Sequence, residues 1–273
     1  MMRLSKLLFY SLVLFSTISC TQYAYFQSPL HTNTLGYREQ PLKSENRPFA
    51  LYANAAVATG NANEDLRDQL TAFIGAFHAA HQFGNFQAYY GSQLTLGGYK
   101  LLPYAPQIGT PTYFNSNLDE TLINPHSGKN SFGALGFSGG INYLIPFAKG
   151  GEWRAFGLEA NWNNQWGEYQ DFRSELSSSA ANLIDPSKKF ATVAFTSDII
   201  AKLNAGSIGY KFALGFRTGE LTKYDRSGLP SKVLPGFFSY TLHYSYDRYA
   251  AYSQINWGYS ALSFHFGLSY RLR

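Results

Sequence analysis

The sequence predicts an all-β protein: a single antiparallel transmembrane up-and-down β-barrel of ten strands, with eight strands as the alternative. Three observations predict this fold. Apolar side chains alternate with small or polar ones at a period of two along most of the chain, as in strands that separate two environments. Charged residues make up 14% of the 273 positions, against about 25% in ordinary soluble proteins, while Tyr, Phe and Gly number 21, 22 and 25. The connections between the predicted strands alternate between short and long.

The period of two marks ten segments. In the seventh, one face carries Tyr210, Phe212 and Phe216, and the opposite face carries Gly209 and Ala213. Large aromatic side chains on one face, with small ones rather than Lys and Glu on the other, favour a barrel in lipid over a soluble β-sandwich. The predicted strands are 49–59, 70–83, 86–98, 132–146, 152–167, 190–203, 208–218, 236–247, 251–259 and 261–272.

The connections have two lengths. The short ones are 84–85, 147–151, 204–207 and 248–250, and the long ones are 60–69, 99–131, 168–189 and 219–235. Short periplasmic turns and long outer loops are typical of outer-membrane barrels. The ninth connection, near Tyr259 and Ser260, is tight although it falls where an outer loop is expected, and for this reason eight strands remains the alternative.

Residues 1–48 differ from the barrel in composition. Arg3 and Lys6 precede a short apolar run, 7–15, which is the plan of a secretory signal peptide. The run is too short to span a bilayer as a helix, which takes about 20 residues. We predict a signal peptide of the lipoprotein type over 1–19, a lipid anchor and extended linker over 20–48, and the barrel over 49–273. The alternative to the linker is a plug-like segment.

The only cysteine, Cys20, ends the leader, and its position resembles the lipobox of bacterial lipoproteins, where the cysteine is acylated. Ordinary cleavage after Ser19 is the alternative. With this leader, the proline-containing stretch after it and aromatic-glycine strands ending in GLSYRLR, the chain resembles outer-membrane β-barrel lipoproteins of the Bacteroidota type. The resemblance implies the bacterial outer membrane as location and insertion by the barrel assembly machinery.

Two sets of side chains follow from the predicted faces. The inward positions carry charged and imidazole groups that must pair or stay hydrated, because lone burial is costly; either a paired network closes the lumen or a polar path or ligand site crosses it. These residues are Glu159, Asp198, Lys202, Lys211, Arg217, His243, Asp247, His265 and Arg271. The outward aromatic girdle is predicted at Tyr143, Trp153, Trp162, Tyr246, Trp257 and Tyr270.

The sequence predicts no metal site and no cofactor. His78 and His81 are three positions apart on a predicted strand, so they face opposite sides and cannot bind one ion together. Asn61, Asn63 and Asp65 have the oxygen spacing of a calcium loop but lack its glycine and closing glutamate.

The expected function is that of a non-enzymatic structural or accessory component of an envelope complex. No nucleophile-elbow, zinc-protease, phosphate-loop or dinucleotide motif occurs in the chain. Outer-membrane lipids are the expected partners, with other envelope proteins contacted through 99–131 and 168–189, and no nucleic acid. The alternative is a narrow channel or small-ligand transporter; an outer-membrane enzyme and a soluble β-sandwich are less favoured.

Overall fold

The computed structural model of the chain describes residues 28–30, 36–62, 68–103, 124–176, 185–219, 221–224, 230–233, 235–258 and 261–273. The predicted signal peptide, Cys20, the tips of the long connections and two residues of the calcium-like pattern, Asn63 and Asp65, lie outside these residues. The strands are β1 (Phe49–Ala62), β2 (Asp68–Phe83), β3 (Phe86–Leu101), β4 (Gly128–Pro146), β5 (Glu152–Trp166), β6 (Lys189–Lys202), β7 (Ser207–Thr218), β8 (Leu221–Tyr224), β9 (Pro230–Val233), β10 (Gly236–Tyr246), β11 (Tyr249–Gly258) and β12 (Ala261–Arg271).

Ten of these strands form one closed antiparallel barrel. Each strand pairs with its neighbour in sequence, except that β7 pairs with β10 because β8 and β9 form a separate two-stranded hairpin between them. The barrel closes where β1 pairs with β12, from Tyr52 opposite Arg271 to Ala62 opposite Ala261. The predicted ten-stranded antiparallel barrel is confirmed. A soluble sandwich is excluded because a single sheet closes on itself.

The β11 strand decides the strand number. It runs over Tyr249–Gly258 and pairs with β10 on one side and with β12 on the other. The tight connection before β12 therefore joins two genuine barrel strands, and the eight-stranded alternative is wrong.

The alternation in the sequence is an alternation of faces in the barrel. Large apolar side chains point outward and remain exposed, among them Phe73, Phe137, Phe195 and Leu268. Polar side chains on the intervening positions point inward and are buried. This is the reverse of a soluble protein, and it places an apolar band around the outside of the molecule, as lipid requires.

The two ends of the barrel differ in the length of their connections. Residues 84–85, 147–151, 203–206 and 247–248 lie at the end where β1 begins and β12 ends, which we call the short-turn end. Gly84 has a φ of 62°, the left-handed conformation that a two-residue hairpin needs and that glycine adopts without strain. The other connections lie at the opposite, long-loop end, and by the rule for such barrels the short-turn end is periplasmic.

Two elements at the long-loop end were not predicted. Helix α1 (Glu168–Leu176) lies in the fifth connection, and the β8–β9 hairpin lies in the seventh. Helix α1 begins after Gly167, whose φ of 108° disfavours other residues, and it carries Glu168 and Asp171 in its first turn, where acidic groups favour a helix. The strand period dominated the sequence interpretation, so one short helix was overlooked. Among the described residues, no helix is long and apolar enough to cross a membrane.

A β-bulge in β5 changes which side chains face the lumen. The register with β6 shifts between Arg154 and Gly157. Arg154 and Glu159 are consequently both inward and buried, although strict alternation would put them on opposite faces. The same bulge turns Trp153 outward.

Candidate functional site

The lumen of the barrel is occupied by the chain itself. Residues 36–42, which we call the lumen segment, lie inside the barrel, and its side chains Tyr37, Arg38, Gln40 and Leu42 are buried. The wall residues around it are buried too, including Gln254 and His243. Residues 36–42 belong to the region that the sequence assigns to an extended linker, with a plug-like segment as the alternative, and they lie inside the barrel.

Wall side chains bond the backbone of the lumen segment. An extended segment without strand neighbours leaves its backbone groups unpaired, and burying them in that state is costly. Side chains from five strands bond these groups. The contacts join Tyr37 N to Gln254 Oε1 (3.1 Å), Asn54 Nδ2 to Tyr37 O (3.4 Å), His78 Nε2 to Glu39 O (2.6 Å), Gln87 Nε2 to Pro41 O (2.8 Å) and Arg154 to Gln40 O (3.1 Å).

The side chains of the lumen segment are held as well. The Tyr37 ring stacks on His243 with centroids 4.2 Å apart, and its hydroxyl lies 2.9 Å from the His243 Nδ1. Arg38 donates to Gln93 Oε1 at 2.6 Å, while the Glu39 carboxylate accepts from the Ser245 hydroxyl at 2.8 Å.

A buried charge cluster lies beside the lumen segment. The Arg154 guanidinium donates to Glu152 at 2.9 Å and to Asp198 at 3.1 Å, and His243 Nε2 lies 3.1 Å from the other Asp198 oxygen. All four side chains are buried. Because Arg154 also donates to the lumen segment at Gln40, the cluster joins the segment to β5, β6 and β10. Lys211 and Glu159 form a separate ion pair on the wall.

At the short-turn end the chain leaves the lumen. The Lys43 amide donates to Glu152 Oε2 at 2.7 Å, and Ser44 donates to the Gly150 carbonyl at 2.8 Å. Glu45 pairs with Arg271 at 2.9 Å. Beyond these contacts the mouth is a cavity of about 340 Å³ that reaches inward to Glu39. The chain then enters β1.

The long-loop end is covered by α1. The Tyr169 ring stacks on Tyr99 with centroids 3.8 Å apart, and Phe172 is buried in the same cluster. Leu30, nineteen positions before β1 begins, belongs to this cluster too. Ser28 donates to Oε1 of Gln165, the next-to-last residue of β5, at 2.9 Å.

An Arg–Asp–Arg group fastens the covering helix to the wall. Asp185 lies between Arg173 of α1 and Arg217 of β7, and all three are buried. Burial alone raises the pKa of the Asp185 carboxyl, but the hydrogen bond from Arg217 and the charges of both arginines outweigh it and hold the pKa below its ordinary value.

The predicted lumen residues form four groups rather than one network. Asp198 and His243 join Arg154, and the others are paired along the wall: Lys211 with Glu159, Arg217 with Asp185, and Arg271 with Glu45. His265 is buried 3.2 Å from the Asn256 amide. Two predictions need correction. Lys202 is exposed at the short-turn rim because its strand ends there, and Asp247 is exposed in the β10–β11 turn, with a φ of 51°.

Arg154 and Glu152 were not among the predicted lumen residues, and the lumen segment agrees with the plug-like alternative rather than with the extended linker. Alternation places Arg154 on the lipid side together with Phe156, and only the bulge turns it inward. The signal that could have pointed to it is chemical, since an arginine that faces lipid is costly. Of the two histidines, His78 is buried in the lumen, and His81 lies at Tyr90 on the outside, 3.1 Å from its hydroxyl.

The six predicted girdle residues lie on the outer surface. Trp153, at the start of β5, donates from its indole to Ser197 at 2.9 Å. Tyr143, Tyr246 and Tyr270 also lie near the short-turn end, whereas Trp257 lies next to the long-loop end of β11 and Trp162 somewhat deeper in β5. Their place at the two membrane interfaces, where amphipathic rings are enriched, stays a prediction.

Solved structures similar to this chain are bacterial barrels. The β domain of the Bordetella autotransporter BrkA has a TM-score of 0.40 at 10% identity, over 82% of this chain and 99% of that one. The translocator domain of the autotransporter NalP from Neisseria meningitidis has 0.36 at 8%, over 83% and 89%. An outer-membrane channel from Pseudomonas putida F1 has 0.36 at 10%, over 88% and 99%. No protein-family model matches the chain, and no curated protein matches it.

This chain is an outer-membrane β-barrel. The closed sheet leaves no strand edge unpaired, and its outside is apolar while its inside is polar, so the bacterial outer membrane is the environment that satisfies both faces. Among the described residues no group of three or more His, Cys, Asp or Glu side chains could hold a metal ion.

Proposed function

We propose that this protein is a non-enzymatic outer-membrane barrel, closed by its own lumen segment, that serves as a structural or accessory component of an envelope complex. The observation that carries the proposal is the burial of Tyr37, Arg38 and Gln40 inside the barrel. A ten-stranded barrel is narrow, and most of its interior is taken up by side chains. Because the lumen segment is also bonded across the interior, the barrel is a closed membrane protein rather than an open pore.

The proposal includes a lipid anchor. The leader over 1–19 and the lipobox-like position of Cys20 support acylation, and the resemblance to barrel lipoproteins of the Bacteroidota type supports the same modification. An acyl chain on the amino terminus adds a second attachment to a membrane that the barrel already spans. Insertion by the barrel assembly machinery accords with the closed antiparallel sheet.

Contacts with other envelope proteins are assigned to the long-loop end. The described ends of the predicted contact stretches 99–131 and 168–189 lie there, and α1 holds Glu168, Asp171 and Glu175 in exposed positions. The Tyr99–Tyr169 stack and the buried Arg173 hold this helix against the barrel, so it offers a rigid surface to a partner.

A narrow channel is the second candidate. It is favoured by the polar inner wall, where Asn161, Asn163 and Thr192 are buried opposite the apolar exterior. If the lumen segment left the barrel, these groups would line a hydrated path.

Conductance in planar bilayers separates the two candidates. We expect no conductance from the wild-type protein and measurable conductance when Tyr37, Arg38 and Gln40 are all replaced by Gly, which keeps the chain length but removes the side chains that fill the lumen. The matched control replaces Asn46 and Arg47, exposed at the short-turn mouth, by Gly and stays silent. A measurable conductance of the wild-type protein, as large as that of the triple variant, would reject the closed barrel.

The accessory role needs its own test. Purification from membranes in mild detergent, read by mass spectrometry, is expected to retain a protein partner. Replacing Asp171 by Asn and Glu175 by Lys changes the charge of the exposed face of α1 but keeps Glu168, which accepts from the Ser131 amide, and it is expected to release that partner while the barrel stays folded. If no partner is retained and deletion of the gene leaves every envelope assembly intact, the accessory role is wrong.

A further inference from the structure

The path of the chain through the barrel decides the end at which the amino-terminal region emerges. Strand β5 provides the scale, because the chain touches both of its ends. Ser28 bonds Gln165 near the long-loop end of β5, and Lys43 bonds Glu152, its first residue at the short-turn end. These two wall residues are thirteen positions apart, or about 44 Å along the strand at about 3.4 Å per residue.

The direction of the path follows from further contacts. Leu30 is buried with Tyr99 and Tyr169 at the long-loop end, residues 36–42 cross the lumen, and Glu45 reaches Arg271 at the short-turn end. The chain therefore runs from the long-loop end inward to the short-turn end before it begins β1. Since short turns are periplasmic in such barrels, Ser28 lies toward the outside of the cell.

From this path we infer that the chain before Ser28 emerges at the cell surface, and that the acyl group on Cys20 is held by the outer leaflet of the outer membrane. The second part rests on the lipid anchor of the proposed function. The lipid-modified amino terminus thus reaches the surface through the barrel, and its acyl group inserts into the outer leaflet.

Chain length supports the outer leaflet. Cys20 lies eight positions before Ser28, and the chain between them spans at most about 29 Å when fully extended. Tilted by about 40°, the 44 Å of β5 corresponds to roughly 34 Å along the barrel axis. The residues before Ser28 are too few to return to the periplasmic leaflet, and the lumen they would have to cross already contains the lumen segment.

Thiol labelling of intact cells tests the topology. Three full-length variants each carry one added cysteine: Ala24→Cys before the path, Glu175→Cys on exposed α1 as the surface control, and Asn85→Cys in a short turn as the periplasmic control. We expect a membrane-impermeant maleimide to label Ala24→Cys and Glu175→Cys on intact cells. Asn85→Cys should react only after the outer membrane is permeabilised.

The wild-type chain reports on lipidation separately, because its single cysteine is blocked when acylated. Denatured wild-type protein that takes no maleimide supports the lipid anchor, and stoichiometric labelling rejects it. In the latter case Cys20 is itself a probe, and its labelling on intact cells still supports emergence at the surface. If Ala24→Cys, like Asn85→Cys, is labelled only after the outer membrane is permeabilised, the inference is wrong whatever the state of Cys20.

Discussion

At the scale of single residues, Arg154 connects the lumen segment with the inner wall. It is 2% exposed and bonds two carboxylates, Glu152 and Asp198, together with the Gln40 carbonyl. Neither carboxylate is near bulk water, so each depends on the guanidinium for compensation of its charge. The planar, multiply donating guanidinium suits this role better than a lysine ammonium.

Replacing Arg154 by Met tests this dependence. Two buried carboxylates then lose their cation, and we expect the free energy of unfolding in lipid or detergent to fall by about 3–5 kcal/mol. Lys202→Met is the matched control: Lys202 lies on neighbouring β6 but is exposed, so its loss should change little. Urea titration followed by tryptophan fluorescence measures both, and equal effects of the two variants would contradict the central place of Arg154.

Gly209 leaves space for the His243 ring. A Cβ at Gly209 would lie 2.3 Å from His243 Cε1 and Nε2, too close for any real contact. Gly209→Ala must therefore push the imidazole away from Asp198 and Tyr37, and we expect a loss of about 1–3 kcal/mol, as for other overpacked interiors.

The control for Gly209 is Gly236→Ala at the start of β10. Its added Cβ meets nothing closer than a carbonyl oxygen at 3.6 Å, an ordinary contact. The two variants make the same chemical change in the same sheet, so unfolding curves that shift equally would show that strand propensity, not the His243 contact, governs the loss.

At the scale of elements, α1 and the lumen segment close the barrel from different directions. The helix covers the long-loop end through the Tyr99–Tyr169 stack and the Arg173–Asp185–Arg217 group. The lumen segment fills the middle and is bonded by side chains of several strands. Tyr37 of the lumen segment and Tyr169 and Phe172 of α1 belong to one buried apolar cluster, so the two closures meet inside the barrel.

The Asp185 group makes the attachment of α1 sensitive to acid. Its folded-state pKa lies below the ordinary value, so its contribution to stability is present above about pH 4, the unfolded value, and is lost as the pH falls through the folded value. We expect Asp185→Asn to lower the unfolding free energy by on the order of 3 kcal/mol near pH 7, with the gap from wild type shrinking below about pH 4.

The comparison variant for this pH series is Asp171→Asn. Asp171 lies on the same helix but is exposed, so no comparable gap should open at neutral pH. A gap for Asp185→Asn that stays constant down to pH 2 would mean that the carboxylate charge is not what holds α1 to the wall.

At the scale of the whole molecule, the outward apolar band defines the environment of the protein. Phe195 lies in the middle of β6 with its side chain 64% exposed, and Tyr246 lies at the short-turn end of β10. In water this exterior would be an aggregation surface. In a bilayer it is the face that favours insertion.

Arginine substitutions at two depths test the membrane environment. Phe195→Arg is expected to destabilise the folded barrel in lipid by about 2–4 kcal/mol, and Tyr246→Arg, near the interface, by at most about 1 kcal/mol. The wild-type protein should also migrate differently on a denaturing gel before and after boiling. A membrane barrel would be refuted if migration were identical before and after boiling, the wild-type protein were recovered in the soluble fraction, and Phe195→Arg aggregated less than wild type.

Much of the fold could be predicted because strand alternation is local. The two faces of β7, β10 and β12 can be recognised from neighbouring residues alone, and the short turns follow from residues such as Gly84. Helix α1 was missed because it is a nine-residue element stabilised by distant partners, among them Tyr99. Arg154 was missed because a bulge inverts the alternation at this point, and the bulge is visible only in the pairing of β5 with β6.

The sequence by itself determined the barrel, its outward apolar face and the polarity of its interior, since these depend on a period of two and on the solvent that each face prefers. Tertiary structure alone decided what fills that interior. The partners of Tyr37 and Gln40, namely His243, Gln254 and Arg154, are more than a hundred positions away in the chain. Contacts at such separation come from the closure of the sheet around the lumen segment, which no local pattern encodes.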